Sequence, residues 1–444
     1  MANKVEVTYN PQLGYLKTVF THPFDFLTEV QSYSQEQNAL ELVAGTYQKK
    51  TARVRVDLLT ETAFRFRMYP YEEKVFENAV FPLEGRQAYS LEDKGECLSL
   101  STGRMELRLQ KRPWQLSVLL DGKPLTHENV CDSNVDNMCK YLPIGFDCDG
   151  QGNVVKVRET MYMYSDENFY GFGEKFTGFN KRGQVIHCRQ SDALSTNTER
   201  SYQNIPYFMS SRGYSILLNT YTDNVCDMGV GSGVSYGMEV ADKMLDYVMF
   251  CDRDYKGLLE GYTALTGRPA LPPAWSFGLW LTTSFTTSYD EKTVRSFVDG
   301  MAQRNIPLHV FHFDCYWMKE NEWCNFTWDE AMFDDVPGML ARMKDECGLK
   351  ICVWINSYIG QKSPLFKEAM EKGYLLKRPN GDVWQWDLWQ AGMGLVDFTN
   401  PAAWKWYQDK LRVLLDQGVD CFKTDFGERI PTRRGVLRRL RPRR

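Results

Sequence analysis

The feature that most narrows the fold is a change of hydrophobic period near residue 265. Before it, apolar and polar residues alternate: Val54, Val56 and Leu58 in RVRVDLL, Phe64, Phe66 and Met68 in FRFRMY, Met105, Leu107 and Leu109 in RMELRLQ. A period of two turns one face of a strand to a core and the other to water, which is the pattern of half-buried antiparallel strands. Asp121-Gly122, between LSVLL and KPL, predicts a two-residue hairpin, a turn whose central residues need a left-handed backbone. Many short strands parted by turn residues predict a β-sandwich over residues 1–265.

Beyond the proline-rich stretch LTGRPALPPAW (265–275), apolar runs alternate with helical patterns. WSFGLWLTT (275–283) precedes DEKTVRSFVDGMAQRN, where Val294, Phe297, Val298 and Met301 recur at helical spacing. PLHVFHFD (307–314), a helix around MLARMKDECG, KICVWINS (350–357), PAAWKWYQDKLRVLLDQG (401–418) and VDCFKTD (419–425) follow. In the last helix Trp404, Leu411, Leu414 and Leu415 are expected on the buried face. Strand–helix repetition implies a parallel sheet, and continuous apolar strands ending in polar residues predict the first four units of a (β/α)8 TIM barrel over 266–432. That leaves the barrel incomplete.

Composition excludes several classes. With 43% hydrophobic and 25% charged residues the chain is not disordered. A net charge of −4 argues against nucleic-acid binding. No run approaches the ~20 apolar residues of a membrane span, and MANKVEVTYNPQLGY lacks the apolar centre of a signal peptide, so the expected compartment is the cytosol. The twelve cysteines are scattered without a CxxC, which reads as reduced and structural. No metal or cofactor is expected, since His309 and His312 would point to opposite faces of a strand. Seven of the last twelve residues (433–444) are arginine. They read as a basic interaction tail or, preferably, as foreign sequence after a frameshift, since they begin where a barrel loop should continue.

Two acids close predicted barrel strands, Asp314 after VFHF and Asp425 after CFKT. At strand C-termini of a barrel such carboxylates are candidates for acid, base or nucleophile, though either could simply cap a loop. Lys423, two before Asp425, points to the same side of its strand and would favour the carboxylate form. Eleven of the twelve tryptophans lie between Trp275 and Trp406. Near strand ends, with Phe285, Trp317 and Trp354, they suit the flat faces of sugar rings, although core packing explains any one of them alone; WQWDLWQ (384–390) is too dense for core alone.

KTDFGERIPT (423–432) resembles the nucleophile signature of glycoside hydrolase family 31. NFYGFGEKFTGF (168–179) is similar to that family's sandwich motif, and LWLTTSF (279–285), FHFDCYWMK (311–319) and ICVWINSYIGQ (351–361) to its first three barrel strands. The resemblance covers residues 1–432 and leans toward bacterial cytosolic α-xylosidases. It implies Asp425 as nucleophile, Glu428 as a second acid at the active centre, Lys423 on a sugar hydroxyl, and Asp314 gripping hydroxyls of the bound ring. It further implies Asp192, in RQSDALSTNTE, as an acid reaching over the pocket, with Trp354 and Phe285 as apolar walls. Cys315 with Phe285 implies xylose over glucose, because filling the space of the hydroxymethyl arm rejects glucose sterically.

The implied activity is a retaining α-xylosidase acting on α-xylosyl-containing oligosaccharides, with a homo-oligomer plausible for the full-length form. The alternatives are an α-glucosidase or transglycosidase of the same family, or a non-catalytic carbohydrate-binding fragment. The family's acid/base is an Asp well downstream of the nucleophile, and no acid follows Glu428 here. The expectation is therefore weak activity at most, as a single-turnover burst on an aryl xyloside, and a chain unstable by itself.

Overall fold

The computed structural model describes residues 24–70, 80–81, 83–129, 144–191, 193, 195–284, 286–427 and 429–431. The chain divides into two compact units, Met1–Pro269 and Ala270–Arg444.

The first unit holds a 13-stranded and a 5-stranded antiparallel sheet. The larger sheet changes direction within one strand, Phe24–Gln35: its first three residues pair with Ile144–Cys148 and the rest with Ala39–Thr46. Register shifts after Leu27 and Val30 accompany the bend, as β-bulges do. The two halves face each other: Tyr214 donates to the Tyr236 hydroxyl (3.0 Å) and Tyr247 to Glu159 (3.1 Å). The smaller sheet contributes Leu98, Leu100, Leu107, Leu109, Leu116 and Val118 to the same core as Leu40, Val54 and Phe66. This is the expected sandwich. The hairpin at Asp121-Gly122 is present, with φ of 49° and 74°.

FRFRMY departs from the half-buried reading. Phe64, Phe66 and Met68 are buried as expected, but so is Arg65. The second face of this strand, Ala63–Pro70, is also covered: Ala63 joins Leu59, Val248 and Phe250 in a cluster with Leu258 of the helix Tyr255–Thr266. Arg65 survives there because its guanidinium grips Asp246 through two bonds (2.9 and 2.6 Å) and donates to the Leu83 carbonyl.

Two carboxyl groups, Glu128 and Glu159, also lie wholly within the sandwich. Trp114 Nε1 and the Leu116 amide donate to Glu128 (3.2 and 2.6 Å). Desolvation raises Glu128 to about 7, and desolvation with the neighbouring Glu128 raises Glu159 well above its ordinary value. Folded pKa values above the unfolded ones mean that the protonated forms stabilise. For Glu128 that stability is complete below about pH 4.5 and is lost as pH rises through 7. Thermal unfolding should therefore show lower stability at pH 8 than at pH 5. Glu128→Gln should flatten the slope; an unchanged slope would reject the assignment.

In the second unit four parallel strands stand in sequence order: β1 (Trp280–Thr282), β2 (Val310–Phe313), β3 (Lys350–Ile355) and β4 (Cys421–Thr424). Helices α1 (Glu291–Gln303), α2 (Val336–Asp345), α3 (Pro364–Glu371) and α4 (Pro401–Gln417) run between them. Each helix opens on a polar cap: Asp290, Asp335, Ser363 and Asn400 each accept from an amide of the first turn. These are β/α units of the expected barrel.

Two features differ from the sequence reading. The buried face of α4 carries Ala403, Trp406, Tyr407 and Leu414, whereas Trp404 and Leu415 are 51% and 46% exposed. Trp404, Leu411 and Leu415 do share a stripe, but the core takes the stripe roughly 100° further round, where Tyr407 meets Phe326 edge-on at 5.2 Å. The segment between β3 and α4 also folds a small antiparallel sheet, ordered Tyr358–Ile359, Met393–Leu395, Gln385–Trp386, which contains part of WQWDLWQ.

Candidate active site

Parallel register builds the site. Thr282, His312, Cys352 and Cys421 stand opposite one another across β1 to β4. Two residues further along, on the same side of the sheet, come Asp314, Trp354 and Lys423, with Trp354 paired to Lys423. The Lys423 ammonium lies 3.4 Å from Asp314 Oδ2 and 3.3 Å from Asp425 Oδ2. A cation from β4 thus links carboxylates that follow two different strands.

Each carboxylate divides its oxygens. Asp314 Oδ1 accepts from the Cys315 amide (2.8 Å) and Asp425 Oδ1 from the Phe426 amide (3.0 Å). Each acid thus caps a loop amide through Oδ1 and turns Oδ2 toward the Lys423 ammonium. Trp354 Nε1 donates to Asp425 Oδ2 at 2.6 Å. Trp354 is itself held by Trp317, whose Nε1 donates to its carbonyl (2.8 Å). The Asp314 amide donates to the Tyr289 hydroxyl at 2.9 Å. Trp354, almost fully buried, has Trp323 at 5.0 Å and Phe426 at 6.4 Å between ring centres.

Burial works against the Lys423 charge, but the attraction of Asp314 and Asp425 outweighs it and holds its pKa above the ordinary value. Lys423 is then a permanent cation. Burial lowers the pKa of His312, 3.9 Å from Asp314, and so favours neutral imidazole. Burial, then the adjacent Asp314, pushes the Cys315 thiol up, which excludes it as a thiolate nucleophile. A carboxylate at Asp425, oriented by an indole N–H and an ammonium and edged by aromatic rings, has the geometry to attack an electrophilic carbon.

The structure brings together Asp314, Cys315, Trp354, Lys423 and Asp425. Asp192, Phe285, Glu428 and the arginine-rich segment 433–444 lie outside the described residues. Sequence reading took up His312 only as a metal ligand, and set it aside, and it passed over Tyr289. His312 was legible as the residue two before Asp314 on one strand; Tyr289 had no local signal, since only the fold brings it to Asp314. Among the described residues no group of three or more His, Cys, Asp or Glu could hold a metal ion, and no helix is long and apolar enough to cross a membrane.

Residues 269–439 match the glycosyl hydrolases family 31 TIM-barrel domain, and residues 53–227 the glycosyl hydrolase 31 N-terminal galactose mutarotase-like domain. The chain is 55% identical over 275 residues to an α-xylosidase of Lactiplantibacillus pentosus, a match covering 62% of this chain and 36% of that protein. It is 44% identical over 353 residues to an α-xylosidase of Emericella nidulans, covering 76% and 44%. The chain thus spans less than half the length of these relatives. A Flavobacterium johnsoniae family 31 dextranase complexed with glucose superposes with a TM-score of 0.77 at 24% identity, covering 90% of this chain and 48% of that one.

Proposed function

The chain belongs to glycoside hydrolase family 31, and from that premise we propose that it carries the nucleophile half of a retaining α-glycosidase that releases terminal α-xylosyl residues in the cytosol. The observation that carries this reading is the Asp425 carboxylate, held at the end of β4 by Trp354 and Lys423.

Asp425 attacks the anomeric carbon, the bond to the leaving oxygen breaks, and a covalent glycosyl ester forms on the carboxylate. Lys423 directs the Asp425 carboxylate, and Trp354 fixes the attacking oxygen. Asp314 Oδ2, opposite the same ammonium, accepts sugar hydroxyls. Glu428, three residues after Asp425, acts at the same centre. Protonation of the leaving oxygen needs a further carboxyl group. Two relatives that are α-xylosidases support a xylosyl ring. So does Cys315, which is buried directly after Asp314, where a side chain can limit the room for a hydroxymethyl arm. The ten described cysteines are all free thiols, which suits a reducing compartment.

The test is covalent trapping with a fluorinated α-xylosyl fluoride, followed by digestion and sequencing of the labelled peptide. The label is expected on Asp425, with the glucosyl counterpart reacting roughly tenfold or more slowly. A label on another carboxylate, or no label on folded protein, would overturn the assignment. Equal rates for the two sugars would favour the α-glucosidase reading.

A further inference from the structure

Tyr289 stands one residue before the cap of α1 and is wholly buried, its ring 5.5 Å from that of Phe313 at the end of β2. Its hydroxyl works in both directions. It accepts from the Asp314 amide at 2.9 Å and donates to the carbonyl of Ser284, two residues past β1. Ser284 holds a left-handed backbone, φ 53°, which a residue other than glycine keeps only where its surroundings impose it. The loop that leaves β1 and the residue that leaves β2 thus meet on one oxygen.

Phe313 is the last residue of β2 in register with β3, opposite Val353. The next amide, that of Asp314, is bound by the phenol instead of a ladder carbonyl. The backbone of Asp314 is therefore fixed from outside the sheet, where the chain turns into the short helical turn Cys315–Trp317. Oδ1 is committed to the Cys315 amide, so Oδ2 goes where the backbone points it, toward Lys423 at 3.4 Å. Burial, opposed by the Asp314 amide, holds the phenol above its ordinary pKa, so it keeps the proton that the Ser284 carbonyl accepts. Phenylalanine would fill the same space but leave the Asp314 amide and the Ser284 carbonyl without their shared partner.

We infer that Tyr289 is a positioning residue for the reaction: through the Asp314 backbone it sets the carboxylate that holds the hydroxyls of the bound ring, without touching the sugar itself. This rests on the glycosidase reading above. A residue that only fills the core would change folding, or every step alike. One that acts through Asp314 changes ring binding, and only while Asp314 has a carboxylate to place.

The test is the burst from an activated aryl α-xyloside, followed against substrate concentration. Tyr289→Phe, which removes one oxygen and keeps the ring, is expected to raise the half-saturating concentration about tenfold and to lower the limiting burst rate less than about threefold. Replacing Tyr289 by 3-fluorotyrosine, which keeps the hydroxyl, should leave both within about twofold. In an Asp314→Ala background, Tyr289→Phe should add less than about twofold, since the grip it positions is already gone. An unmoved half-saturating concentration in Tyr289→Phe, or the same rise with and without the Asp314 carboxylate, would overturn the role and leave the glycosidase reading standing. Failure of Tyr289→Phe to fold would also overturn it, by making the hydroxyl a determinant of folding instead of binding. No burst from the unaltered chain would overturn the glycosidase reading, and the role with it.

Discussion

Asp425→Asn is expected to abolish the burst of aryl alcohol released from an activated aryl α-xyloside, by at least about 10⁴-fold in rate. Asparagine has nearly the same shape and its carbonyl can still accept from Trp354 Nε1, so the site should keep its geometry. What disappears is the negative charge and the oxygen able to form a stable ester. An aryl leaving group departs with little protonation, so this assay isolates the attacking step from any acid/base. Lys423→Met should be milder, because it loosens Asp314 and Asp425 without removing either. A burst of normal amplitude and rate in Asp425→Asn would falsify the nucleophile assignment and direct attention to another carboxylate.

The second large effect is on folding. Arg65→Met should destabilise the sandwich unit by about 3–5 kcal/mol, since it leaves Asp246 buried with Asn219 as its remaining side-chain donor. For a unit of this size that corresponds to a fall of about 10 °C in the unfolding temperature. The double variant Arg65→Met, Asp246→Leu should recover most of the loss, because replacing both members of a buried ion pair by apolar side chains is often near neutral. Differential scanning calorimetry of the three proteins decides the matter. A double variant as unstable as the single one would mean that the guanidinium matters chiefly through the Leu83 carbonyl.

These two residues also mark how differently sequence speaks about chemistry and about packing. Asp425 was legible as a candidate because it closes an apolar barrel strand, although a loop cap stood as the alternative, and Lys423 because i and i+2 share a face. Arg65 read as the solvent side of a half-buried strand. Its partner lies 181 residues away, and nothing local announces that the outer face of FRFRMY will be covered by the helix Tyr255–Thr266. The face of α4 misled for a related reason. Its stripe through Trp404, Leu411 and Leu415 is a true helical stripe, but a helix with apolar residues on two sides leaves the choice to its neighbours.

Sequence by itself determined the types and order of the main strands and helices, though not α3, the helix Tyr255–Thr266 or the small sheet between β3 and α4. The periods of two and 3.6 are properties of the backbone, and capping residues such as Asp290, Asp335 and Asn400 end each loop locally. It also named the acids, because Asp314 and Asp425 each follow their own strand directly. Tertiary structure alone decided which groups meet. Strand register set Trp354 opposite Lys423 and so brought one ammonium to two carboxylates and one indole to Asp425. It decided that Tyr289 would receive the Asp314 amide and that the tryptophans of WQWDLWQ would stand beside Phe426. Register and packing depend on contacts between residues far apart in the chain, whose energies no local window of sequence contains.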